Sequence, residues 1–187
     1  KRDGDKLGFP VFPIAWNSGE SYTAGYRESG YFPDAVINFL AFLGWNPGTE
    51  KEFFRLNELV ENFDLKQVNK AGARFDPEKI LWFNHHYLQN KTNTVLAEGM
   101  IAENEILKPV DPNYVALVIG LIKERANLSS DLWGLCHYFF KAPKTYNEKG
   151  LKKAWKAESE GLMSALCTAL DRFIEKSSEA LKSDFSQ

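Results

Sequence analysis

From residue 31 onward the apolar positions recur at helical spacing. In YFPDAVINFLAFLGW they fall at 36, 37, 39, 40, 42 and 43, which predicts an amphipathic helix with Pro33 near its first turn and Asp34 beside it. Gly44 stands where the residue after a helix end belongs, because glycine accepts the left-handed conformation there. A shorter helix is predicted from Asn57 and another near Asp64. FDPEKILWFNHHYL then begins with Asp76 as N-cap, Pro77 at the first helical position, where its missing N–H costs nothing, and Glu78 facing the helix dipole. The same logic predicts helices after Thr94, from Asp111 and Pro112, around Ser129, and from Asn147 through the lysines that follow. A last amphipathic stretch runs from about Ser159 to Leu181.

The first 30 residues read differently, with glycine or proline at 4, 8, 10, 13, 19, 25 and 30 and short β-like runs such as LGFPVFPIAW between them. The pattern therefore predicts a mainly α chain in which a small α/β module precedes an all-helical array. QNKTNT at 89–94 is the expected change of module, giving domains 1–91 and 92–187.

Composition narrows this picture without redirecting it. The 187 residues are 44% hydrophobic, 26% charged and 14% aromatic, a globular balance that argues against disorder. No run approaches the ~18 consecutive apolar residues of a membrane span, so no membrane role is expected. Cys136 and Cys167 lie far apart and form no CxxC pair, which predicts two buried thiols in a reducing compartment. The net charge of −2 is unevenly placed: six lysines and one acid lie between Lys141 and Lys156, a net +5. A basic block on an acidic body is what a directed phosphate contact would look like.

Catalytic templates are missing. His85 and His86 are adjacent, so on a helix they point about 100° apart and cannot share a metal as an i,i+4 pair can. His137 beside Cys136 faces away from it for the same reason. There is no GxSxG, GxxxxGK[ST] or GxGxxG. Two other features stand out. Trp82 in ILWFNHHYL is either core or a stacking platform at a helix flank. Lys123 and Arg125 close a strongly apolar helix, as dipole partners or, for Arg125, with its planar fork offered to a base or phosphate.

Together these positions resemble a known family. KRDG is similar to the tail of the KMSKS-type signature loop of class I aminoacyl-tRNA synthetases. GYRESGYFPDAVINFLAFLGWNPG, FRLNELVENFDLKQVNKAGARFDPEKILWFNHHYL and VALVIGLIKERANLSSDLW resemble the bacterial glutamyl-tRNA synthetases, in order, over roughly residues 1–140. The resemblance implies a stem-contact module followed by a helical anticodon-binding region, with a Rossmann catalytic domain expected before residue 1 and more of the anticodon-binding region expected after Gln187. It implies a full-length enzyme that uses ATP, with Mg, to attach glutamate to tRNA-Glu in the cytoplasm, as a monomer, and a fragment that is inactive by itself.

Residue by residue, the resemblance implies that Lys1 contacts ATP phosphates, that Trp82 lies at the anticodon arm, and that Arg125 reads the third anticodon base. Lys123 is expected beside the tRNA, and Lys149, Lys152, Lys153 and Lys156, one helix face by their i,i+3/i+4 spacing, either track its phosphates or form a solvated face. The sequence departs from the family in two places. PVFPIAWNSGESYTAGYRESG is longer than the usual spacing, and Leu117 stands where some relatives carry a second base-contacting arginine. A relaxed ligase that also charges tRNA-Gln, or a helical protein-interaction module using its aromatics as anchors, are the alternatives.

Overall fold

A computed structural model describes residues 9–184 apart from 20 and 71, and the chain divides into two compact units, Lys1–Lys141 and Ala142–Gln187. The first unit opens on a hairpin of β1 (Trp16–Asn17) and β2 (Tyr22–Thr23), antiparallel with Trp16 opposite Thr23. This hairpin occupies the segment that is longer than the family spacing. Six helices follow: α1 (Pro33–Phe42), α2 (Leu56–Asn62), α3 (Pro77–Asn90), α4 (Asn93–Glu103), α5 (Pro112–Ile122) and α6 (Asp131–Cys136). The second unit holds α7 (Glu148–Ala154) and α8 (Ser159–Asp184). The chain is thus mainly α, as its pattern predicts.

The helix starts obey local chemistry. Asp76 Oδ1 accepts the Glu78 and Lys79 amides at 3.0 and 3.3 Å, Asp111 accepts that of Asn113 at 2.9 Å, and Asn147 that of Gly150 at 2.9 Å. Such caps contribute about 1 kcal/mol each. Thr92 caps α4 through the Val95 amide at 3.3 Å, so that helix begins at Asn93, before Thr94 rather than after it.

Two local expectations are overturned by tertiary contacts. Gly44 does not take a positive φ; among the described glycines Gly19, Gly30 and Gly48 do. Trp45 is drawn into a buried cluster with Phe54 and Leu59 and bridges to Val68, while the Gly44 carbonyl accepts the Asn69 amide at 2.7 Å. That path leaves α1 toward a β-bridge, not through a left-handed turn. The same bridge limits the helix expected near Asp64 to one 3-10 turn, Leu65–Gln67, because Val68 is already extended.

α3 ties the first unit together. Ile80 and Phe83 pack on Tyr31, Ala35 and Phe39 of the α1 region. One turn further on, Leu88 joins Met100, Val115, Ile119 and Leu132 from α4, α5 and α6. Burying each such side chain stabilises by about 1.5–3 kcal/mol. Gly30 supplies a second tie between the two ends of the unit. Its φ is +89°, and a Cβ there would lie 2.7 Å from the Ser130 nitrogen. The room so left lets the Ser129 amide and hydroxyl donate to the Gly30 carbonyl at 3.1 and 3.2 Å.

The expected change of module at 89–94 falls between α3 and α4, inside the first compact unit. Leu88 of α3 packs in the same core as Leu96 and Ala97 of α4.

Candidate nucleic-acid interface

Trp82 lies on α3 and is 45% exposed. Its ring rests on Phe53, with centroids 4.7 Å apart, and meets Phe83 edge-on at 5.1 Å. Phe53 in turn stacks on His86 at 3.5 Å and 10°. Since 82 and 86 are i,i+4 neighbours on one helix, both ring contacts are made from a single face of α3, and they restrain the indole while leaving it accessible. Burial, followed by the neighbouring His85, lowers the His86 pKa.

The ground beside Trp82 is mostly acidic. A cleft of about 350 Å³ is lined by Glu52, Asp76, Glu78, Lys79 and the indole, and Lys79 Nζ sits 3.5 Å from Glu52. Three carboxylates against one ammonium do not invite a phosphate. Stacking on the ring face is the interaction this spot can offer an RNA base, worth ~1–3 kcal/mol.

Arg125 is exposed at the end of a 3-10 turn, Lys123–Arg125, that follows α5. Among the described residues its side chain takes part in no hydrogen bond or ion pair. The backbone beneath it is held by α3. Asn84 Nδ2 donates to the Asn127 carbonyl at 2.6 Å, His85 Nδ1 to that of Ala126 at 2.9 Å, and Gln89 Nε2 to that of Lys123 at 2.9 Å. Residues 82, 85 and 89 recur at i, i+3 and i+7 and so share one face of α3. The Arg125 turn is therefore held by α3, the helix that also carries Trp82, through anchors that begin two residues beyond the indole.

Lys123 turns in to α3. Its ammonium donates to the Gln89 carbonyl at 2.7 Å and to the Lys91 carbonyl, at the C-terminal end of α3, and its burial lowers its pKa. Leu117, at the position where some relatives carry arginine, is 62% exposed on α5.

In the second unit Lys149, Lys152 and Lys153 are exposed on α7. Lys156 departs from the expected stripe. α7 ends at Ala154, Trp155 is extended, and Lys156 lies beyond the helix with its ammonium 3.4 Å from the Lys152 carbonyl. The thiols differ from expectation as well: Cys136 is buried, with its pKa raised to about 11, but Cys167 is exposed on α8.

Lys1, the residue matched to an ATP contact, lies outside the described residues. A cavity of about 570 Å³ between α1, α2 and α3 sets Asp34 and Glu58 against Arg55 and Lys91, a balanced charge set with no glycine-rich cradle. Among the described residues no group of three or more His, Cys, Asp or Glu could hold a metal, and no helix is long and apolar enough to cross a membrane.

Sequence reasoning did not single out Asn84, Gln89 or Phe53. The available signal was two polar positions, 84 and 89, each directly following an apolar residue of α3. Such positions read equally well as solvent-facing.

A hairpin-bearing module joined through one helix to a helical array, with an indole and a guanidinium on its surface, is the architecture of the tRNA-binding portion of a class I aminoacyl-tRNA synthetase. The chain belongs to the anticodon binding domain family, which matches residues 86–187, and residues 19–82 match the catalytic domain family of class I tRNA synthetases for E and Q. The two matches meet within α3. The chain is similar to the glutamate–tRNA ligase of Flavobacterium psychrophilum, 51% identical over 91% of this chain and 34% of that protein. It is similar to the glutamate–tRNA ligase of Phocaeicola vulgatus, 49% identical over 97% of this chain and 37% of the relative. The crystal structure of a glutamate tRNA ligase from Elizabethkingia meningosepticum, in complex with its amino acid, matches at a TM-score of 0.81 and 42% identity, over 91% of this chain and 34% of that one. The chain thus spans about a third of the length of these relatives.

Proposed function

We propose that this chain is the tRNA-binding C-terminal part of a glutamate–tRNA ligase, a monomeric cytoplasmic enzyme that uses ATP, with Mg, to attach glutamate to tRNA-Glu. Lys1 would contact ATP only within the whole enzyme. The described residues contribute binding and positioning, so the chain by itself is expected to bind tRNA without charging it.

The observation that carries this reading is the placing of two exposed groups by one helix: Trp82 on α3, and Arg125 on a turn that α3 holds. An indole stacks on any base, whereas a guanidinium fork distinguishes bases by about 1–3 kcal/mol. Stacking therefore supplies affinity, and Arg125 supplies the choice of third anticodon base. Lys149, Lys152, Lys153 and Lys156 would add phosphate contacts, whose affinity is sensitive to salt.

Binding of tRNA-Glu transcripts to this chain across a salt series tests the reading. Affinity is expected to fall steeply with salt, and Arg125→Gln is expected to erase discrimination at the third anticodon base. Affinity that stays flat across salt, or discrimination untouched in the variant, overturns it. The exposed Leu117 favours one second reading, a ligase that also accepts tRNA-Gln. Equal binding of both tRNAs by the unaltered chain would support that instead. A chain that binds no tRNA but forms a stable protein complex would be an interaction module.

A further inference from the structure

Arg125 is an exposed side chain asked to judge the edge of a base. Such a contact discriminates only when its anchor is held within about 0.5 Å and 10–20° of the productive geometry, a task that falls to neighbouring residues. The turn bearing Arg125 is short and lies at the surface, so local structure alone supplies little of that rigidity.

The restraint comes from α3. Lys123 and Gln89 clasp each other: the Lys123 ammonium donates to the Gln89 carbonyl at 2.7 Å, and the Gln89 amide donates to the Lys123 carbonyl at 2.9 Å. Lys123 also caps the helix through the Lys91 carbonyl, where the negative end of the helix dipole favours a cation. Beyond Arg125, His85 and Asn84 hold the carbonyls of Ala126 and Asn127 at 2.9 and 2.6 Å. Asp131 Oδ2 accepts the Asn127 and Leu128 amides at 3.0 and 2.9 Å. The main chain is thus pinned two residues before Arg125 and one and two residues after it, and Ala126 is fully buried. The Arg125 side chain is left outside the clasp.

We propose that Lys123 and Gln89 are positioning residues for base selection: their reciprocal clasp fixes the turn from which Arg125 reaches the RNA, and Lys123 itself contacts no phosphate. The proposal rests on the reading of Arg125 given above. Direct contact and positioning predict opposite results in two measurements. A lysine that neutralises a phosphate contributes about 0.7–0.9 to the slope of log affinity against log salt. A lysine that positions Arg125 contributes nothing to that slope but alters the ratio of affinities for right and wrong bases.

The experiment uses this chain unaltered and as the Lys123→Met, Gln89→Leu and Arg125→Gln variants. Each is titrated with tRNA-Glu transcripts carrying the native or a substituted third anticodon base, at several salt concentrations, with thermal melts to confirm folding. The unaltered chain is expected to prefer the native base by roughly 5- to 150-fold. Lys123→Met and Gln89→Leu are each expected to bring that ratio to within about threefold of unity, leaving the salt slope and the affinity for the substituted tRNA unchanged. Gln89→Leu carries the test by itself if Lys123→Met fails to fold, since it leaves the lysine in place. A salt slope reduced by nearly one unit in Lys123→Met, or a full ratio retained in either clasp variant while Arg125→Gln loses it, overturns the positioning role alone. A full ratio retained in Arg125→Gln, or no tRNA binding by the unaltered chain, overturns the reading of Arg125 and the positioning role with it.

Discussion

The Tyr87 hydroxyl lies 2.8 Å from Asn38 Oδ1, joining the last turn of α3 to the middle of α1. The same hydroxyl is 2.7 Å from the Phe54 carbonyl, so its single proton is shared between two acceptors. Asn38, fully buried, also accepts the Phe54 amide at 2.7 Å and donates to the Glu52 carbonyl at 3.0 Å. This network fixes the segment that presents Phe53 beneath Trp82.

Removing that donor has a cost with a defined pH signature. Tyr87→Phe leaves buried acceptors short of a partner and is expected to destabilise by about 1–3 kcal/mol. Burial, and then the charge of Asp34, push the phenol from 10.0 up to about 12. Between those values the unfolded chain has lost the proton that the folded chain keeps, so stability falls as pH rises through the window. Thermal melts between pH 9 and about 12 should show this fall, and Tyr87→Phe should flatten it.

Asn84 is the second fully buried polar side chain. Its Oδ1 accepts the Phe32 amide at 2.7 Å at the start of α1, and its Nδ2 donates to the Asn127 carbonyl. Asn84→Leu strands both partners and adds volume, with an expected loss of about 2–4 kcal/mol in chemical denaturation.

His86 predicts a response at the acid end. Its folded pKa lies below its ordinary 6.5, so as pH falls below about 6.5 the unfolded chain takes up the proton first and stability declines. His86→Phe keeps a ring against Phe53 and should remove that part of the slope from melts taken between pH 7 and 5.

Trp82 should separate binding from stability. Because the indole is half exposed, Trp82→Ala is expected to cost less than about 1.5 kcal/mol of folding stability. It should weaken tRNA binding by ~1–3 kcal/mol with little dependence on base identity. A variant that binds as tightly as the unaltered chain would remove the indole from the interface.

The sequence by itself determined the elements and the kinship. Asp76–Pro77, Asp111–Pro112 and Asn147 announce helix starts because capping is settled within three or four residues, and apolar spacing marks the buried faces of α1, α3 and α5 for the same short-range reason. Kinship was legible in long strings such as the one around YFPDAVINFLAFLGW. What tertiary structure alone decided is the fate of polar groups whose partners are distant. Asn84 finds Phe32 across 52 positions and Gln89 finds Lys123 across 34, and nothing in the local pattern separates these side chains from solvated ones. Lys123 turned toward helix carbonyls, and the Gly44 carbonyl took the Asn69 amide, because each answers to a neighbour brought by the fold and not by the chain.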